Sequence, residues 1–173
     1  ARVHRNDFLA WLDANENQVQ FIFHLGAKTD TTLFDKAIFD EMNVRYSQKV
    51  WERCVRYGIP LVYASSAATY GGGEHGYNDD HSTIASLVGI PSVDEIISKQ
   101  EFDVWALEQS AKPFFWAGLK FFNVYGPNEN HKGRMASVVF HAFNQISASD
   151  GMKLFPATGL TTRTASSCAT SST

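Results

Sequence analysis

The sequence predicts an α/β fold built on a parallel sheet, and three observations carry that reading. Compact apolar runs (Val19-Gln20-Phe21-Ile22-Phe23-His24, Leu61-Val62-Tyr63-Ala64 and Phe114 to Asn123) alternate with stretches whose apolar residues recur at helical spacing. The runs are nearly continuous rather than period-two, as in strands covered on both faces. Each is followed by a polar or Gly-containing cluster, the form of a connection at the carboxyl end of a parallel strand.

Taken in order, Phe8, Leu9, Trp11 and Leu12 follow a candidate N-cap at Asn6 or Asp7 and predict a short helix. The Val19–His24 run, ending at Gly26, predicts the first strand. Phe34, Ile38, Met42, Val50, Trp51, Cys54 and Val55 predict a long helix stopped by Gly58 and Pro60. Leu61–Ala64 is the second strand and runs into Ser65-Ser66. A long polar, Gly-rich connection extends from Gly71-Gly72-Gly73 to about Pro91, a length more typical of functional segments than of plain joins. Ser98-Lys99 is expected to open the next helix, which carries Phe102, Trp105 and Ala106. Phe114–Asn123 is the third strand, ending at Gly126-Pro127. A last helix carries Met135, Val138, Val139, Ala142, Phe143 and Ile146.

Composition narrows the function classes. The 173 residues are 44% hydrophobic, with 15 basic against 18 acidic side chains and a net charge of -3, so no basic surface points to nucleic acid or an anionic membrane. No apolar run approaches the roughly 20 residues a membrane span needs. Cys54 and Cys168 form neither a disulfide framework nor a zinc knuckle, and the six histidines include no metal-binding pair, so no metal is expected. The expectation is a reduced, cytoplasmic protein. Residues 157–173 contain ten Ser or Thr and no acid, which predicts a disordered tail beyond a folded region spanning 1–156. With the abrupt opening at Ala1, that tail suggests that both ends are cut.

Three polar clusters, His24–Thr32, Ser65–Gly73 and Asn123–Gly133, are expected on the carboxyl rim of the sheet, where ligands of such folds bind. Gly26 and Ala27 permit close backbone approach, with Lys28 and Thr29 able to meet phosphate or ribose. The competing reading is an ordinary turn capped by Thr29, Asp30 or Thr31. Ser65 and Ser66 put hydroxyls at the end of a buried strand, for a substrate alcohol or for the backbone itself. Lys99 is either a solvated charge or, beside a cofactor, a ribose-binding group. His131, Lys132 and Arg134 crowd positive charge before a helix N-terminus, and Lys132 is a candidate proton carrier.

The segments "FHLGAKTDTT", "YASSAATYGGG", "LKFFNVYGPNENHKGRMASVVFHAFNQI" and "KLF" resemble, in order and spacing, the ADP-L-glycero-D-manno-heptose 6-epimerases of the extended short-chain dehydrogenase/reductase superfamily. The likeness covers about residues 8–155, apart from a stretch near 87–98, and the His131-Lys132-Gly133 run is its most selective part. The resemblance implies a Rossmann-like sheet flanked by helices, here partial, lacking the first βαβ unit and the C-terminal substrate lobe. It implies bound NADP, a homo-oligomer, and inversion of C6 of ADP-heptose for lipopolysaccharide core synthesis. It further implies Ser66, Lys99 and Lys132 as catalytic residues. Cofactor contacts would come from Leu25, Gly26, Ala27, Lys28, Thr29, Asn43, Lys99, Val124 and Lys132. Substrate contacts would come from Ser66, Asn123, Arg134 and His141. Another nucleotide-sugar epimerase or dehydratase, or a non-catalytic packing partner, is the alternative.

One position departs from that pattern. Four residues before Lys99 the family carries tyrosine, and this chain has Glu95. A carboxylate with a reference pKa near 4.3 replaces a phenol that must both donate and accept a proton. The chain alone is therefore expected to be inactive. A frame shift in the coding sequence would account for both this stretch and the Ser/Thr-rich end.

Overall fold

A computed structural model describes residues 2–29, 35–87, 94–149 and 151–152. It divides into two units, Ala1–Val124 and Tyr125–Thr173. The first holds a three-stranded parallel sheet in the order β1-β2-β3, formed by β1 (Ile22–His24), β2 (Leu61–Ser66) and β3 (Trp116–Phe121). The reading of strands alternating with helices around a parallel sheet holds.

Local chemistry sets the helix ends. Helix α1 (Arg5–Asn15) starts one residue before the expected cap, because His4 Nδ1 accepts the Asn6 N–H at 3.3 Å. The long helix is three consecutive pieces, α2 (Lys36–Phe39), a wider π-helical turn over Asp40–Arg45, and α3 (Tyr46–Tyr57). Asp35 caps α2 by accepting the Ile38 N–H. Of the other cap candidates, Thr29 is exposed and Asp30 and Thr31 lie outside the described residues. Gly58, at φ 64°, ends α3 in the left-handed conformation that glycine adopts without steric cost.

Strand lengths follow from pairing. Val19–Phe21 does not join the sheet, because β2 starts only after Pro60, whose carbonyl accepts the Ile22 N–H. Conversely β2 runs two residues past Ala64, since Ser65 and Ser66 pair with Lys120 and Phe121 of β3. The Gly-rich connection contains α4 (His81–Ile84), capped by Asp80, and Ile84 and Leu87 pack with Ala67 and Tyr70 in a small apolar cluster. Helix α5 (Asp94–Glu108) begins earlier than the sequence suggested, so Lys99 lies inside it rather than at its opening.

The main core lies between the sheet and helices α1, α3 and α5. Trp51 is nearly inaccessible and meets Phe102, Trp105 and Trp116 edge to face. In register, Ile22, Leu61 and Trp116 form one row of this face, and Tyr63 stands beside Gly118 in the next. The second unit contains a short helical stretch over Asn130–Met135, broken at Gly133 (φ 54°, ψ -127°), and then α6 (Val138–Ser149), whose Phe140 N–H is capped by Ser137. Met135 therefore precedes the last helix instead of belonging to it. The 157–173 segment lies outside the described residues.

Candidate active site

Two of the three rim clusters meet through buried polar side chains of α5 and of the π-helical turn. Asn43, 3% exposed and within that turn, accepts the Lys28 N–H through Oδ1 at 2.8 Å. Its Nδ2 donates to the Lys28 carbonyl at 3.1 Å and to Ser98 Oγ at 3.0 Å. A single amide thus holds the Leu25–Thr29 loop after β1 against the second turn of α5. Leu25 remains exposed, and a Cβ on Gly26 would meet nothing within 4 Å, so the loop leaves open space for a ligand backbone-close to Gly26. In the same region His24 Nε2 lies 2.9 Å from Ser47 Oγ. Burial, helped by the Lys99 charge, pushes His24 down to about 4, so its ring is neutral at pH 7.

Lys99 reaches the strand end. Its Nζ donates to the Ala64 carbonyl at 2.8 Å, two residues before Ser66. Burial lowers its pKa, while the carboxylates of Glu95 and Asp103 pull the other way. Glu95, in the first turn of α5, precedes Lys99 by one turn, and its carbonyl accepts the Ser98 hydroxyl at 2.6 Å. The i, i+4 relation that the sequence assumed for positions 95 and 99 is therefore helical. Ser66 closes β2 and accepts the Ala68 N–H at 3.2 Å, capping the tight turn Ala67–Tyr70. Asn123 and Val124 follow β3 on the same strand-end side and are exposed.

Asp103 and Lys120, which the sequence reading passed over, form the densest polar cluster of this unit. Lys120 Nζ donates to Asp103 Oδ2 at 2.6 Å and to Thr69 Oγ1 at 2.8 Å, with both members of the ion pair largely buried. Asp103 also accepts the Tyr63 and Ser65 hydroxyls at 3.0 and 2.6 Å. One signal was available: an acid four residues after Lys99, on the helix face that otherwise packs Phe102 and Ala106.

Lys132, Arg134 and His141 belong to the second unit, where Glu129 organises the loop that carries them. Its carboxylate, almost fully buried, accepts the backbone N–H groups of Gly126 and Ser137 at 2.9 and 2.7 Å and the Ser137 hydroxyl at 2.9 Å. These N–H donors hold its pKa below the usual carboxylate range. Lys132 Nζ lies 3.9 Å from the same carboxylate, and His141 Nε2 lies 3.3 Å from the Arg134 carbonyl. Among the described residues no group of His, Cys, Asp or Glu could hold a metal ion.

The family model for the NAD dependent epimerase/dehydratase family matches residues 5–164. The chain belongs to this family. The family member from Fusobacterium nucleatum named ADP-L-glycero-D-manno-heptose-6-epimerase is 44% identical over 155 residues, which are 88% of this chain and 47% of that relative. The crystal structure of the Helicobacter pylori ADP-L-glycero-D-manno-heptose-6-epimerase is 25% identical, with a TM-score of 0.66 over 87% of this chain and 46% of that one. MoeE5 in complex with UDP-glucuronic acid and NAD is 27% identical, with a TM-score of 0.54 over 73% of this chain and 42% of that one. This family member thus spans about half the length of the curated relatives it matches, and its parallel sheet flanked by helices is the Rossmann-like architecture of the epimerases.

Proposed function

We propose that this chain is part of an ADP-heptose 6-epimerase that inverts the C6 hydroxyl-bearing centre of the sugar, using NADP, for lipopolysaccharide core synthesis in the cytoplasm. The observation that carries the reading is 44% identity to a relative of that name along 88% of the chain. The site chemistry supports it. NADP, when bound, would supply reversible hydride exchange with the C6 centre. Leu25–Thr29, held by Asn43, would line the cofactor, with Val124 beside it. Lys99, kept at the end of β2 by the Ala64 carbonyl, would bind its ribose. Ser66, whose oxygen already accepts the Ala68 N–H, has its proton to give to the substrate oxygen. The resemblance to the heptose epimerases gives Lys132 the role of a second acid/base group, and Asn123, Arg134 and His141 that of substrate contacts. The partner that the resemblance implies is a second copy of the same chain.

Glu95 stands where a phenol is required and the chain spans about half the length of its relatives, so the chain alone turns nothing over and binds NADP weakly. The test is the purified chain and a Glu95→Tyr variant, each incubated with NADP and ADP-heptose and followed by NMR for C6 inversion. Parallel reactions use UDP- and dTDP-hexoses. No inversion by the parent fits the proposal. Turnover of a UDP- or dTDP-hexose with ADP-heptose untouched overturns it in favour of another nucleotide-sugar enzyme. Stoichiometric NADP on the purified parent refutes the weak-binding part.

A further inference from the structure

Lys99 and Asp103 lie one turn apart on α5 and both face β2, so whatever fixes Asp103 also fixes where Lys99 sits. The Asp103 carboxylate is held on three sides. Tyr63 and Ser65, alternate residues of β2, donate their hydroxyls to its two oxygens, and Lys120 of β3 donates at 2.6 Å. Lys120 is held in turn by Thr69, in the turn that follows Ser66. The tether therefore joins α5, two strands and the turn after the catalytic-side serine. Lys99 Nζ meets the Ala64 carbonyl, which lies in sequence between the two tethering hydroxyl residues. Gly118 is part of the same arrangement, because a Cβ there would overlap the Tyr63 phenol that reaches Asp103.

We propose that Asp103, anchored by Lys120, Tyr63 and Ser65, is a positioning residue for Lys99. It holds the amine at the carboxyl end of β2, rather than serving the fold alone. The inference rests on the reading of Lys99 as the cofactor-side lysine. A pair placed only for stability would not need to lie one helical turn from that amine, nor to bond the residues on either side of its acceptor. The other titratable groups facing Lys99 among the described residues are Glu95 on its own helix and His24 on β1, which is neutral at pH 7.

The test is NMR titration of Lys99 in the full chain, read at 13Cε and 15Nζ, in the parent and in Asp103→Asn and Asp103→Glu. In Asp103→Asn the Lys99 midpoint shifts downward, because a carboxylate that favours the ammonium is lost. In Asp103→Glu the charge remains but the anchor geometry changes, and the Lys99 13Cε resonance still moves. Folded variants in which Lys99 keeps its parental midpoint and resonance overturn the proposal and leave Asp103 a structural residue. If the single variants do not fold, Asp103→Leu with Lys120→Met removes the pair without an orphaned charge. The same reading of Lys99 then decides, a moved resonance supporting the proposal and an unmoved one ending it. None of these readings requires turnover, so failure of the epimerase proposal and failure of this one are seen separately.

Discussion

Gly118 of β3 lies against the phenol of Tyr63, its register partner on β2, with no room between them for a Cβ. The ring can cross above β3 to reach Asp103 only because residue 118 has no side chain.

Gly118→Ala is accordingly expected to push Tyr63 aside and break its hydrogen bond to Asp103. The overpacking costs about 1–3 kcal/mol, read as a lowered urea midpoint at unchanged slope. Tyr63→Phe, which keeps the ring and loses the hydroxyl, costs less, about 1 kcal/mol.

Lys120→Met leaves the Asp103 carboxylate buried without its cation, although the Tyr63 and Ser65 hydroxyls remain. The expected loss is about 3–5 kcal/mol, whereas removing both charges with Asp103→Leu and Lys120→Met costs far less. Equilibrium denaturation of the two variants at one pH checks the difference. Equal losses would mean that the ion pair contributes nothing beyond packing.

His24 makes stability depend on pH in a definite window. Its folded pKa of about 4 lies below the ordinary value near 6.5, so between those limits the unfolded chain binds more protons. Stability is therefore full above pH 6.5 and is lost as pH falls toward 4, by an amount on the order of 2–3 kcal/mol. His24→Gln should flatten that part of the profile while leaving the share due to carboxylates. The His24 ring resonances, followed by NMR, should move by only about a tenth of their full titration shift between pH 7 and pH 5.

Cys54 is inaccessible and burial pushes its thiol up to about 12. Iodoacetamide at pH 8 should leave the peptide containing Cys54 unmodified in the folded chain and alkylate it in denaturant. Peptide-resolved mass spectrometry reads this directly, and native labelling of Cys54 would show that α3 opens readily.

The layout of strands and helices was readable because apolar runs and helical spacing report burial, which is what builds the sheet. Boundaries were less readable where pairing rather than composition sets them. Val19–Phe21 looks like strand but has no partner before Leu61, and Ser65-Ser66 looks polar yet continues β2 beside Lys120 and Phe121. Lys99 and Ser66 were singled out by motif, and the structure brings the amine of one near the strand end carrying the other. Asp103 and Lys120 were not found, since their pairing spans α5 and β3 and no local spacing announces it. Asn43 was singled out, but its means of action, a side chain grasping the Lys28 backbone, depends on a turn geometry that apolar spacing does not reveal.

That turn takes up an extra residue in the helix running from α2 into α3 and so keeps the two halves in phase. Asp40–Arg45 is wound with an i+5 bond, so one more residue is accommodated there than an α-helix would allow. Upstream, Phe39 points into the protein; downstream, Ser47, Val50, Trp51 and Cys54 do so. Asn43 lies at the join and points inward as well. Removing a single residue from the turn would restore ordinary α winding while Phe39 and the Trp51 side kept their inward direction, because the wider turn is what absorbs that residue. The core would stay packed, but Asn43 would leave its place in the widened turn and let go of the Lys28 loop. A one-residue deletion there acts as a latch withdrawn from a door, sparing the core and freeing the rim.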